Sequence, residues 1–174
     1  MSNKSAIAKV QNNLNELFQS NLAPGDAYIK FKITSDVTAL LSMVRVQESL
    51  FIEARKITPL PSMPESVLGM MSSRDRVFCV FDLAQVLQLA SRSTPPRQYQ
   101  IIVLQTVSEQ PVYFGLAVTQ LQGIVRLSKQ QIQTFLDGVP SHIVDYLSGV
   151  VREEETTMPI LKLDLVIAAL TNLR

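Results

Sequence analysis

Val77-Phe78-Cys79-Val80-Phe81-Asp82-Leu83, running on into AQVLQL, and Pro159-Ile160-Leu161-Lys162-Leu163-Asp164-Leu165, running on into VIAAL, carry one arrangement twice. In each, a short apolar run reads as a strand, and an Asp-Leu step leads into a short amphipathic helix. Aspartate suits that junction because its carboxylate accepts hydrogen bonds from the exposed N–H groups of a first helical turn. A unit of this kind recurring once in each half of the chain points to two related subdomains. Between the halves lies ASRSTPPRQ, residues 90–98, the only polar, proline-bearing stretch of any length in the β-rich region, and it reads as a linker.

Around these landmarks, runs rich in Val, Ile, Tyr, Phe and Leu alternate with turn residues. They predict strands at 28–33, 40–48, 67–72, 77–81, 99–107, 112–119, 123–127, 147–152 and 158–163, a mainly β chain. Upstream, Ile7, Val10, Leu14 and Leu17 lie at helical spacing. An amphipathic helix is therefore expected within residues 1–24, broken by Pro24-Gly25, with its apolar stripe docked on the β-body or on a neighbouring copy. The β module occupies 25–174.

Sixteen Lys and Arg balance fifteen Asp and Glu, and the charges are scattered rather than gathered in a stripe, so nucleic acid is not an expected partner. No apolar stretch approaches the roughly 18–20 residues a bilayer crossing needs, and the first residues lack a secretory signal pattern. With one cysteine and neither signal nor span, the expected setting is the cytoplasm, without membrane insertion.

Residue types that do chemistry are sparse. His142 is the only histidine and Cys79 the only cysteine, far apart in sequence, which leaves no zinc-ligand spacing. Cys79 sits in an apolar run where a thiol pKa rises, the opposite of an activated nucleophile. The six glycines make no phosphate-cradling loop, so no nucleotide cofactor is expected. Asp82 at a strand end could suggest a receiver-type phospho-acceptor, but that chemistry needs an acidic pair after the first strand to hold magnesium, and only Asp36 follows. Glu153-Glu154-Glu155 reads as a solvated turn, and the prolines at 59, 61 and 64 as stiffening of a crossing loop.

Three stretches together resemble the CheW-like coupling family, from about Tyr28 to the last helix. They are Met43-Val44-Arg45-Val46-Gln47-Glu48; the loop from Ile57 through Pro64 to Gly69 and on to Leu83; and Tyr146-Leu147-Ser148-Gly149 with Ile160–Leu165. Where the family's turn commonly reads Asn-Leu-Arg-Gly, this chain has Ser72-Ser73-Arg74-Asp75, keeping the arginine.

The resemblance implies two small five-stranded SH3-like β-barrels sharing a hydrophobic core. It implies a non-enzymatic adaptor that couples the cytoplasmic tip of a methyl-accepting-type chemoreceptor to the regulatory domain of a CheA-like histidine kinase. The partner-binding residues it suggests are Val46, Glu48, Val67, Leu68, Met70, Ser72 and Arg74. Glu48 and Arg74 are expected to approach each other across adjacent strands. The alternatives are a free-standing regulator that binds the kinase without a receptor, and a small enzyme.

Overall fold

The computed structural model describes residues 24–89 and 93–172; the predicted N-terminal helix lies outside them. Ten strands form two five-stranded sheets. The strands are β1 (Asp26–Lys32), β2 (Thr38–Ser42), β3 (Val46–Glu53), β4 (Val67–Ser73), β5 (Arg76–Asp82), β6 (Gln98–Gln105), β7 (Tyr113–Val118), β8 (Gln120–Leu127), β9 (Leu147–Glu153) and β10 (Thr156–Leu161). One sheet runs β8-β1-β2-β10-β9 and the other β3-β6-β7-β5-β4.

The two orders are the same list shifted by five strands. Each sheet takes an antiparallel pair from one half of the chain, β1-β2 or β6-β7, and three strands from the other half. The pairs join their partners through parallel ladders, β2 with β10 and β7 with β5. Residues 90–98 thus separate the two sequence repeats, while both sheets draw strands from both sides of that linker.

Each sheet closes in the same way. After β3 a 3-10 turn (Ala54–Lys56) swings the chain over so that Thr58 bridges Met70 on β4, the opposite edge. After β8 the turn Lys129–Gln131 does the same, and Gln133 bridges Val150 on β9. Even the hairpin tips correspond, since Arg74 (φ +55°) and Glu154 (φ +53°) both hold left-handed backbone.

Three apolar clusters result. The central one joins Ile29, Phe31 and Leu41 of one sheet to Ile102, Leu104 and Leu116 of the other, with Leu83 and Val166 from the helices between them. A second, around Phe78, Val80 and Ile101, and a third, around Leu40, Val151 and Ile160, fill the individual sheets. The shared core is the feature that makes the two sheets one body: burying such side chains stabilises by about 1.5–3 kcal/mol each.

Two local expectations are corrected. The run 40–48 is not one strand: the Ser42 hydroxyl accepts from the Val44 N–H and caps a 3-10 turn at Met43–Arg45, so β2 ends and β3 starts in the other sheet. The repeated aspartates also differ. Asp82 caps α1 (Leu83–Val86) by accepting from the Gln85 N–H at 3.3 Å. Asp164 lies one residue inside α2 (Leu163–Thr171), whose N-cap position is Lys162 with no side-chain capping bond, and its carboxylate takes the Arg45 guanidinium at 2.6 Å. Asp82→Ala should therefore cost about 1 kcal/mol, the ordinary worth of a helix N-cap. Urea denaturation of the variant checks this, and an unchanged midpoint would contradict it.

A candidate partner-binding face

Glu48 and Arg74 meet, as the motifs suggested, with Arg74 Nε 3.4 Å from Glu48 Oε2. The Ser73 hydroxyl donates to Glu48 Oε1 at 3.2 Å. They do not lie on adjacent strands: Glu48 is on β3 and Arg74 just beyond the end of β4, and β3 and β4 are the two opposite edges of their sheet, brought face to face by the closure. The triad is a clasp across that seam, beside the Thr58–Met70 bridge.

The two ends of the clasp are unequal. The Glu48 side chain is 13% exposed, while that of Arg74 is 76% exposed. An ion pair with one partner in water contributes at most about 1 kcal/mol to stability. Arg74 also occupies left-handed backbone, which disfavours a non-glycine residue by about 1–2 kcal/mol. Neither number makes Arg74 a strong structural residue. What its position does provide is a guanidinium fork held at a hairpin tip and free to bond outward.

Its neighbours suit a contact surface. Ser72 is exposed and pairs across the hairpin with Val77, which is exposed as well. Arg76 is occupied otherwise, its guanidinium lying 4.1 Å from the centre of the Tyr113 ring. Met70 and Cys79 are cross-strand partners, both half-buried, with their sulfur atoms in contact. Burial pushes the Cys79 thiol up, which keeps it protonated and makes it a soft apolar contact rather than a nucleophile.

The other suggested residues fall differently. Val67 is buried and presents no surface to a partner in this conformation. Leu68 is half-buried and turned to the groove between the sheets. Val46, at the start of β3, packs against the central cluster. The predicted residues that share the seam are thus Glu48, Met70, Ser72 and Arg74, joined by Ser73 and Val77. Val77 was legible in β5 itself, where Phe78 and Val80 face inward and 77 must face out. Ser73 carried no signal of its own.

The groove between the sheets has a volume of about 720 Å³ and is lined by Asp36, Glu65 and Asp82 among apolar residues such as Ile33 and Val118. Neither the cysteine nor the histidine lines it. Asp82 is engaged as the α1 cap, and no group of three or more metal-ligating side chains occurs among the described residues. His142 is exposed on the 3-10 segment Ser141–Tyr146. No described helix is long and apolar enough to cross a membrane.

The family model for the CheW-like domain matches residues 28–171. This chain belongs to the CheW-like domain family. The match spans both sheets and the clasp between β3 and the β4–β5 hairpin. Among solved structures, the scaffolding protein TtCheW from Thermoanaerobacter tengcongensis is similar in fold, with a TM-score of 0.68 at 18% identity, covering 82% of this chain and 92% of that one. A search of curated proteins returned no match.

Proposed function

We propose that this CheW-like protein is an adaptor that couples a methyl-accepting-type chemoreceptor to a CheA-like histidine kinase, with no catalytic step of its own. The observation that carries the reading is the clasp: a half-buried carboxylate holding an exposed arginine at a hairpin tip, within a chain that belongs to the CheW-like family. Such a surface supplies a fork of hydrogen-bond donors beside soft apolar side chains, Met70 and Val77, which is the composition of a contact patch rather than of a reaction centre.

Two partners follow: the regulatory domain of the kinase and the cytoplasmic tip of the receptor. Titration of each, alone, against the purified chain tests this. Saturable binding to both is the expected result, and binding to neither overturns the proposal. Binding to the kinase alone would favour a regulator acting without a receptor.

A further inference from the structure

The last helix is more apolar than its place at the surface calls for. α2 reads LDLVIAALT, and Asp164 is its only charged residue. Val166 is buried in the central core, but Leu165 and Ala168, one turn apart and pointing away from it, are exposed. A helix that is apolar all round is ordinarily covered all round. Val44 adds to this face. It stands 86% exposed on the 3-10 turn Met43–Arg45, and the next residue, Arg45, bonds the Asp164 carboxylate and so holds the turn against the start of α2.

The described chain begins beside this face. β1 pairs Tyr28 with Ser42, the residue before the turn, and β1 starts at Asp26, past that pair. Gly25 is fixed there, its carbonyl accepting from the Arg126 guanidinium at 3.0 Å. We infer that the stretch Ile7–Leu17 lies as a helix along α2 and covers Leu165, Ala168 and Val44 with its stripe of Ile7, Val10, Leu14 and Leu17. The lengths agree, since eleven helical residues span about 16 Å and the nine of α2 about 14 Å. The reach agrees as well. Residues 18–24 can extend over roughly 23 Å, and the gap from the turn to α2 is one that the Arg45 side chain already bridges. Tethered this close, stripe and face meet at an effective concentration in the millimolar range, and each stripe residue withdrawn from water stabilises the covered form. The stretch then acts as a strap between the two halves of the chain, because the turn comes from the first half and α2 from the second.

A double-mutant cycle in the full chain tests this. Leu14→Ala and Leu165→Ala remove apolar surface while keeping helix propensity. Each should lower the melting temperature by about 4 °C or more. The double variant should melt close to the worse single one, because either change alone breaks the same contact. Asn12→Ala, on the opposite side of the predicted helix, should not lower the temperature, and the chain should be monomeric by light scattering. Losses that simply add overturn the inference, as does a Leu14→Ala chain that melts with the parent, and either leaves the face to another protein. An equal loss in Asn12→Ala overturns it too. So does a parent dimer that Leu14→Ala turns into a monomer, since the stripe would then cover the face of a second copy.

Discussion

Arg74→Glu should weaken receptor binding by about 30-fold or more while leaving the protein folded, since truncating an anchoring arginine at an interface commonly costs about 2 kcal/mol and reversal places a like charge where the partner expects a donor. The structural cost is separable. The variant sets a second carboxylate beside Glu48, which is 13% exposed, and loses a pair of modest worth. A destabilisation of about 1–2 kcal/mol follows, and in a chain of this size each kcal/mol lowers the melting temperature by roughly 2–4 °C. Arg74→Gly is the control that removes the fork without adding charge, and it relieves the left-handed backbone at φ +55°. It should melt at or above the parent temperature and still bind poorly. Calorimetry alongside receptor titration decides the matter. A folded Arg74→Gly that binds as well as the parent would show that the arginine serves only the turn.

Gly69→Ala should be strongly destabilising. Gly69 lies at φ +141°, and a Cβ there would stand 2.2 Å from the Thr58 carbonyl oxygen and 3.0 Å from Ile57 Cγ2. Thr58 is the residue that bridges to Met70 and closes the sheet, so the clash cannot be relieved without parting the seam that also carries the clasp. Backbone in a glycine-only region costs a substituted residue about 1–3 kcal/mol before any clash is added, so a loss on the order of 3 kcal/mol or more is expected. Its counterpart Gly149 sits at the matching bridge without positive φ, and an added Cβ would meet Ile132 Cγ2 at 2.8 Å and the Gln133 carbonyl at 2.9 Å. Gly149→Ala should therefore be milder. Denaturant midpoints of the two variants test this, and equal losses would show that the left-handed backbone at Gly69 is not what makes it special.

The β class and the repeat were legible in the chain for a physical reason: alternation and turn residues are local patterns. The Glu48–Arg74 contact is long-range, and it was expected only because both residues lie in stretches that resemble the CheW-like family. Where each strand finds its partner is not local. Nothing in Val77–Leu83 or Pro159–Leu165 says that β5 ladders with β7 and β10 with β2, so strand exchange between the halves could not be read from periodicity. The same limit placed Glu48 and Arg74 on adjacent strands, when closure joins opposite edges. Ser42 hid a strand boundary because a short polar residue inside an apolar run looks like an outward-facing strand position until its hydroxyl is seen capping a turn. Asp164 looked like a second cap because sequence repetition aligns residue types but not helix starts. Val67 was drawn into the candidate site by its motif neighbours, though its pleat position turns it inward.

Coupling itself is the claim on which the rest depends, and co-sedimentation tests it directly. Receptor cytoplasmic fragments displayed on vesicles are mixed with the kinase, and the kinase retained in the pellet is measured with and without this protein. Kinase retention should rise with added protein to saturation and fall back towards the level without it when Arg74→Glu is used instead. Retention that is the same with and without the protein, under conditions where each pairwise partner binds, would contradict a coupling role.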